Sequence, residues 1–235
     1  MLLAKACHVL CTLSLVAVTV ALSPLGAKAT PPSVVGRFVD NLMGRPQDFH
    51  TRGTLGCLVT KRGRGPEFYV LDLRDPGSPN VLGSLDFSGQ VNRVVLKGDF
   101  AYLATGLTDS ELVVVDLSTP AVPRVIGRYD AGPGRDAVSL AVRDSTIFLG
   151  RKRASGVAQH ELYAIDVANP AAPTLLGSID VDADVNDLAL ENDLLYVATS
   201  DNERELIVFD VATPSAITEV DSTDLPGSAD AVTIP

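Results

Sequence analysis

Three carboxylates at alternate positions, Asp180, Asp182 and Asp184, have a spacing that could bind a metal ion. Aspartates spaced in this way begin many calcium-binding loops, because Ca²⁺ is a hard cation that takes oxygen ligands. An EF-hand is excluded, since Val185 occupies the sixth position, where the loop needs a glycine. Two interpretations remain open for this cluster: a looser calcium site at the three aspartates, or a solvated acidic turn.

Side chains that could act as nucleophiles or general bases are few after residue 29. The two histidines there, His50 and His160, lie in no recognisable catalytic motif, and ordinary strand and loop positions are favoured for both. Cys57 aligns with aromatic residues of later repeats, so we expect it to replace a packed aromatic side chain. No glycine-rich loop leads from a strand into a helix, which is the arrangement that cradles phosphate. No catalytic motif is therefore present.

The elements that carry these residues come from a repeat that occurs four times. Each copy starts with a glutamate, continues through an apolar run to an aspartate, and is followed by a turn that contains proline. The glutamates are Glu67, Glu111, Glu161 and Glu205, and the aspartates are Asp72, Asp116, Asp166 and Asp210. The aspartates are separated by 44, 50 and 44 residues, which is close to the length of one β-propeller blade. An insertion at residues 151–160 lengthens the third copy.

Each repeat contains four apolar runs of strand length that are separated by turn residues. In the second repeat the predicted strands are 91–96, 100–105, 112–117 and 124–129. No helical period appears after the N-terminal segment. The sequence therefore predicts an all-β protein, a β-propeller of four-stranded antiparallel blades with about four full blades. Their approximate limits are 46–87, 91–130, 137–180 and 185–222.

The recurring aspartates and glutamates are interpreted as parts of this scaffold. An aspartate that ends a strand before a proline-containing turn can accept hydrogen bonds from backbone N–H groups. A role that is needed four times over is explained better by the turn than by a single ligand. The polar residues that belong to one repeat only are therefore better candidates for a site.

The innermost strand of a propeller blade lines the central channel, and its first positions lie at one rim of that channel. Polar residues occupy these positions in several repeats and could converge on one ligand. We predict a binding site there, formed by Gln47, Asp48, Asn92, Arg93, Asn186, Asp187 and Asp230. The alternative is that these positions are polar only because the channel contains water.

The strand Leu112–Asp116 reads LVVVD, and Pro120, Pro123 and the Ile126-Gly127 step follow it. With these features in several copies, the chain from about residue 32 to 235 resembles the LVIVD-repeat proteins. The resemblance implies an exported or surface-anchored β-propeller of a bacterial or archaeal type. It implies no particular biochemical activity.

Two segments at the ends of the repeat region resemble single strands of a further blade. Residues 32–40 match the fourth strand at 123–130, and residues 229–234 match the first strand at 185–190. Together they could close a ring, but the two middle strands of that blade are missing. We expect a chain that stops early at its C-terminal end, and a degenerate closing blade is the alternative.

The N-terminal segment 1–29 has the features of a signal peptide. Lys5 precedes an uncharged, mostly apolar run from Val9 to Leu22, and the small residues Ala27 and Ala29 fit signal peptidase. The run is shorter than the roughly 20 residues that span a bilayer, so cleavage is favoured over an uncleaved anchor. We expect a mature domain at 30–235 that is secreted, periplasmic or at the cell surface, without a transmembrane segment.

Charge narrows the possible partners of the mature chain. The formal net charge of the whole chain is −10, and removal of residues 1–29 takes away two lysines and no acidic residue. An acidic surface repels phosphate backbones and anionic lipid, so nucleic acid is not expected as a partner. We expect a non-catalytic module that binds a protein or a glycan outside the cytoplasm, with calcium as the one candidate cofactor. The alternative is a metal-dependent enzyme at the channel rim, with Asp48, Asp187 and Asp230 as candidate ligands.

Overall fold

The computed structural model describes residues 10–12, 15–17, 44–133, 135–154 and 160–234. Within these ranges the chain forms β-strands and no helix, and so contains no helix that could cross a membrane. A short antiparallel ribbon pairs β1 (Leu10–Thr12) with β2 (Leu15–Ala17). The rest of the predicted signal peptide and the predicted strand at 32–40 lie outside the described residues.

Sixteen further strands form four antiparallel sheets of four strands each, which we number as blades 1 to 4. Blade 1 contains β3 (Pro46–Arg52), β4 (Leu55–Thr60), β5 (Phe68–Asp72) and β6 (Asn80–Leu85). Blade 2 contains β7 (Val91–Lys97), β8 (Phe100–Leu107), β9 (Ser110–Asp116) and β10 (Arg124–Tyr129). Blade 3 contains β11 (Ala137–Arg143), β12 (Thr146–Arg151), β13 (Leu162–Asp166) and β14 (Thr174–Ile179). Blade 4 contains β15 (Val185–Glu191), β16 (Leu194–Thr199), β17 (Leu206–Asp210) and β18 (Thr218–Thr223). The prediction of four-stranded antiparallel blades is confirmed.

The burial of the strands explains the sequence pattern. The second and third strands of the inner blades are covered on both faces, so they need apolar residues at nearly every position. In β9, for example, every residue from Ser110 to Val115 is buried. The first strands are only partly covered, and they contact one another along the channel in the order β3, β7, β11, β15. These four strands are therefore the ones that carry polar residues into the centre.

The blades pack face to face through apolar clusters. Between blades 1 and 2, Cys57 and Phe68 share one cluster with Leu103 and Val113. The corresponding clusters contain Tyr102, Val114, Ile147 and Ile165 between blades 2 and 3, and Phe148, Ala164, Leu195 and Phe209 between blades 3 and 4. Burial of one large apolar side chain stabilises a fold by about 1.5–3 kcal/mol, so these interfaces hold the blades together.

The face of blade 4 that points away from blade 3 is less covered. Leu206 and Val208 on this face are only half-buried, whereas Leu112 and Val114 at the same positions of blade 2 are fully buried. No further sheet packs on this face within the described part of the chain.

The segment 229–234, predicted as a first strand, has no ladder of backbone hydrogen bonds and is not a β-strand in the structure. It nevertheless lies beside β15 where the next first strand would lie. Asn186 Nδ2 donates to the Ala229 carbonyl (2.9 Å), and the Val232 N–H donates to Asp187 Oδ2 (3.1 Å). A strand needs a partner for its own backbone groups, and no second strand pairs with this segment among the described residues.

The fourth strands of blades 1 to 3 each carry a glycine at the same register. A Cβ built on Gly127 would lie 2.0 Å from the Pro170 carbonyl oxygen, and one on Gly177 would lie 2.5 Å from that of Pro214. Gly83 meets the turn at Pro120 and Pro123 in the same way. The glycine of one blade therefore contacts the proline turn of the next blade. This one contact explains why both the glycine and the prolines recur in the repeat. Blade 4 has Asp221 at this register.

The recurring acidic residues also serve the scaffold. One oxygen of each repeated glutamate accepts a backbone N–H from the segment that leads to the next blade. The pairs are Glu67 with Phe87 (2.8 Å), Glu111 with Ala131 (2.7 Å), Glu161 with Val181 (3.0 Å) and Glu205 with Leu225 (2.8 Å). The repeated aspartates accept from the N–H two residues later, at Arg74, Ser118, Ala168 and Ala212. These bonds are those that the scaffold interpretation requires.

The contact between Gly127 and the Pro170 carbonyl predicts an effect on stability. Gly127→Ala should lower the free energy of unfolding by about 1–3 kcal/mol, because the new methyl group must displace the backbone carbonyl of Pro170. Asp221→Ala is the matched control at the same register of blade 4, and it should change stability by less than about 0.5 kcal/mol. Urea unfolding of the purified variants measures both. Equal effects of the two substitutions would contradict the contact.

Candidate functional site

One end of the channel opens into a cavity of about 360 Å³. The first strands β3, β7 and β11 begin at this end, and the antiparallel strands β4 and β12 end there. The cavity is lined by Gln47, Lys61, Gln90, Asn92, Arg93, Asp136, Val138 and Lys152, and we call these eight residues the channel mouth. Blades 1, 2 and 3 all contribute to it.

Arg93 lines the channel mouth and connects two other blades. Its Nη2 is 2.5 Å from Asp187 Oδ1 of blade 4, and its Nη1 is 3.8 Å from Asp48 Oδ1 of blade 1. The second oxygens of both carboxylates accept backbone N–H groups of neighbouring segments, from Val94 (3.0 Å) and Val232 (3.1 Å). The two aspartates predicted as ligands are thus brought together, but their oxygens are engaged within the protein.

The predicted amide residues also bind the backbone. Asn92 Nδ2 donates to the Ala137 carbonyl of the next blade (2.7 Å), and Asn186 makes the equivalent bond to Ala229. Gln47 Nε2 donates to the carbonyl of its own neighbour, Pro46 (2.9 Å). Of the seven predicted rim residues, Gln47, Asn92 and Arg93 line the cavity. Asp48 and Asp187 hold Arg93, whereas Asn186 and Asp230 lie outside the lining, and Asp230 is exposed.

Five residues of the channel mouth were not predicted from the sequence: Lys61, Gln90, Asp136, Val138 and Lys152. Gln90 Nε2 donates to Asp136 Oδ2 across two blades. The side chains of Lys61 and Lys152 are exposed and have no ion pair with any described residue. The sequence feature that could have identified the two lysines is that each directly follows the second strand of its repeat.

Space for the Gln90–Asp136 contact comes from a glycine. Gly106 occupies the position of blade 2 that Lys61 and Lys152 occupy in blades 1 and 3. A Cβ at Gly106 would lie 2.7 Å from the Gln90 side chain and 2.8 Å from that of Asp136. The side chains of Gln90 and Asp136 therefore occupy the place at which blades 1 and 3 each carry a lysine.

The three alternate aspartates do not converge on a common point. Asp182 pairs with Arg153, and Asp184 Oδ1 accepts the Arg153 backbone N–H (2.8 Å). Asp180 Oδ1 accepts the N–H of Asp182 (3.0 Å), as an acidic turn would. Among the described residues, no group of three or more His, Cys, Asp or Glu side chains could hold a metal ion. Calcium at these aspartates remains a prediction that this arrangement does not support.

The two histidines and the cysteine that could be reactive make contacts that suit structural roles. His50 Nδ1 accepts the Leu96 backbone N–H of the next blade (3.3 Å), and burial lowers the pKa of its ring. Cys57 is fully buried, and burial raises the pKa of its thiol to about 12, so the nucleophilic thiolate does not form near neutral pH. His160 is exposed and contacts Ser178 (2.6 Å).

A buried arginine that sequence reasoning missed fixes the connection between blades 2 and 3. Arg151 is only 1% exposed and donates to the carbonyls of Ala131 (3.0 Å) and Gly132 (3.1 Å). Its guanidinium also lies 5.5 Å from the centre of the Tyr163 ring. Since every partner is internal, Arg151 supports the channel mouth and does not face it.

The ion pairs at Arg93 predict a stability effect. Arg93→Gln should lower the free energy of unfolding by about 1–3 kcal/mol, because two largely buried carboxylates would lose their shared cation. Arg52→Gln is the control, since its pair with Asp99 is exposed and should contribute less than about 0.5 kcal/mol. Urea unfolding compares them, and a loss at Arg93 no greater than at Arg52 would refute the bridging role.

The surroundings of His50 predict a pH effect. Its pKa is lowered in the fold, so its contribution to stability is present above about pH 6.5 and is lost as the pH falls through the folded value. The free energy of unfolding should therefore fall as the pH drops below about 6.5 in the wild type, and less steeply in His50→Gln. Urea titrations at several pH values measure this slope. An unchanged slope in His50→Gln would contradict the assignment.

The LVIVD repeat family model matches residues 88–131, 156–181 and 182–224, which lie in blades 2, 3 and 4. No curated protein sequence matches the chain.

Solved structures show the same architecture. A protein from Lactobacillus plantarum matches with a TM-score of 0.74 at 12% identity, covering 93% of this chain and 67% of that one. The Cps50 (Swd1) β-propeller domain of Myceliophteria thermophila matches with a TM-score of 0.63 at 12% identity, covering 84% and 64%. The periplasmic gluconolactonase of Pseudomonas aeruginosa matches with a TM-score of 0.69 at 14% identity, covering 92% and 64%.

This chain spans about two-thirds of the length of each of these proteins, and at such identities the likeness shows the fold alone. The repeat match and the four blades together carry the assignment. Three segments of the chain are LVIVD repeats, and the chain has the β-propeller fold.

Proposed function

We propose that the protein is an exported, non-catalytic binding module whose ligand occupies the channel mouth. The observation that carries this proposal is the cavity of about 360 Å³, lined by side chains from three different blades. A concave site with several converging polar groups is the usual form of a small-ligand site. The packing of successive blades against each other also holds such groups in fixed positions.

Binding is favoured over catalysis by the state of the candidate reactive groups. Asp48 and Asp187 are engaged by Arg93, and the one carboxylate among the eight described lining residues, Asp136, accepts a hydrogen bond from Gln90. A metal-dependent reaction at this rim would first require Arg93 to leave the carboxylates. A general base would need a free carboxylate or imidazole within reach of the cavity.

A hydrolytic enzyme is the second candidate. It is favoured only by the fold shared with the periplasmic gluconolactonase of Pseudomonas aeruginosa and by the presence of Asp136 in the lining. Lactone hydrolysis would require the Gln90–Asp136 contact to open so that the carboxylate could act on water. Gln90→Ala would then raise hydrolysis, whereas a binding module would show none in either form.

Export rests on the N-terminal segment. Lys5, the apolar run that follows it and the small residues Ala27 and Ala29 support cleavage after Ala29. The partner would then be met outside the cytoplasm, and it is a glycan or a protein. The strongly acidic composition argues against nucleic acid.

The experiment begins with expression of the whole chain, with its own N-terminus, in a bacterial host. The exported protein should have the mass of a chain that starts at Thr30. It is then applied to glycan and peptide arrays beside Val138→Trp, which fills the cavity, and Val122→Trp, which alters an exposed turn elsewhere. Wild type and Val122→Trp should bind the same ligand, and Val138→Trp should lose at least about 90% of the signal, a tenfold change or 1.4 kcal/mol. Binding that survives in Val138→Trp, or no binding at all, would refute a site at the channel mouth.

A further inference from the structure

We propose that the face of blade 4 that points away from blade 3 is a docking surface for a basic protein, one that presents an apolar strip flanked by lysines or arginines. We call this surface the open face, and its side chains are Glu191, Leu194, Tyr196, Leu206, Val208 and Asp221. None of these residues lines the channel mouth, so the open face is a second surface of the protein.

The pairing of the strands places these side chains on one side of the sheet. Residues directly opposite each other in an antiparallel ladder point to the same side. Tyr196 is opposite Val208, and Val208 is opposite Asp221. Leu194, two residues before Tyr196, is opposite Glu191. The alternate residues of β16 and β17 point the other way and pack against blade 3.

The apolar centre of the open face has the residue types of a blade interface but lacks a cover. Tyr102 and Leu112 occupy the corresponding positions of blade 2, where packing against blade 3 leaves them 4% and 0% exposed. Tyr196 and Leu206 are only partly buried in blade 4. Contiguous apolar residues on an uncovered sheet face are typical of a surface that binds another protein.

The edge of the open face at β15 carries a charge opposite to that of the other blades. The last residue of the first strand in blades 1 to 3 is a cation that reaches the hairpin turn of the next blade. These interactions connect Arg52 to Asp99 (3.4 Å), Lys97 to the Asp144 carbonyl and Arg143 to Asp193 (2.7 Å). Glu191 holds this position in blade 4, is exposed, and has no ion pair with any described residue. A partner that repeats the contact therefore has to supply the cation.

The edge at β18 carries a second carboxylate, Asp221, where the other blades have glycine. One of its oxygens accepts the Ser222 N–H (2.9 Å), and no cation of the described chain pairs with it. Residues 185–222 contain nine acidic residues and one arginine, whereas each of the other blades contains four or five residues of each sign. That arginine, Arg204, is already paired with Glu219 (3.1 Å). Charge complementarity therefore selects a basic partner.

A second copy of this chain does not have that character. Two open faces would place Glu191 and Asp221 against like charges, which opposes association. The outward face of blade 1 offers no uncovered apolar centre, since Leu58, Tyr69 and Leu71 are at most 5% exposed. The occupant that fits the open face is therefore a different protein.

The first test measures the binding of three fluorescent peptides to the purified protein by anisotropy at low salt. The peptides share an apolar centre of five residues and are flanked on both sides by two lysines, two glutamates or two serines. The lysine peptide should bind at least about tenfold more tightly than the glutamate peptide, with the serine peptide between them. Raising the salt to about 0.5 M should reduce this difference, because screening weakens exposed charge pairs.

Charge reversal tests whether the peptides bind at the open face. Glu191→Lys with Asp221→Lys should weaken binding of the lysine peptide and strengthen that of the glutamate peptide, each about tenfold. Asp75→Lys with Asp109→Lys is the control, because it makes the same change in net charge at exposed residues of blades 1 and 2. It should change either affinity less than about twofold. A variant that failed to fold would lose both peptides and would not exchange one for the other.

The apolar centre is tested with Val208→Ser, which should weaken the lysine peptide about fivefold because less apolar surface is buried. Val122→Ser is the control, since this valine is 52% exposed in a turn of blade 2, and it should change binding less than about twofold. Urea midpoints of the variants verify that they are folded.

Four results would each overturn the proposal. They are no binding of any peptide, equal binding of the lysine and glutamate peptides, a control reversal as effective as the one at the open face, and unchanged binding in Val208→Ser. Dimers on gel filtration that Val208→Ser dissociates would identify a second copy as the occupant, which would also refute a basic partner.

Discussion

The structure depends on the need of each four-stranded sheet to bury two apolar faces. A sheet with apolar second and third strands exposes a large hydrophobic surface unless another sheet lies on each side of it. The clusters at Phe68 and Leu103 and at Tyr102 and Ile147 satisfy this requirement between successive blades. The glutamate bonds and the glycine contacts then fix the distance and angle at which the sheets meet. The polar centre follows from the same packing, because only the first strands are left to face the channel.

The sequence was sufficient to predict the blades, since a repeat of about 44 residues leaves the strand order little freedom. It also located the rim, where Gln47, Asn92 and Arg93 line the cavity. It could not show that Arg93 would occupy both neighbouring carboxylates, because those residues are 45 and 94 positions away along the chain. The same holds for Arg153, which meets the acidic turn from a loop some thirty residues earlier. Contacts between blades depend on the angle between the sheets, and the sequence of a single repeat does not specify that angle.

The lysines of the channel mouth could not be recognised from the sequence for a different reason. A lysine after a strand is ordinarily a solvated surface residue, and nothing in the local sequence around Lys61 or Lys152 contradicts that interpretation. Their position beside the cavity depends on Gly106, which lies in another blade. In the fold, the side chains of Gln90 and Asp136 occupy the place where blade 2 would otherwise present a side chain.

Asp221 bears on how such a chain can evolve. Repeat proteins grow by duplication, and a new unit is tolerated only when both of its faces suit its neighbours. Blades 1 to 3 carry the glycine that lets a following proline turn approach, and each could be copied in front of another blade. Blade 4 has a carboxylate there, so a copy inserted between two others would hold the next turn away. The residue at this register therefore restricts the order of the blades. A duplicated copy of blade 1, 2 or 3 can be followed by another blade, whereas a copy of blade 4 in the middle of the protein cannot.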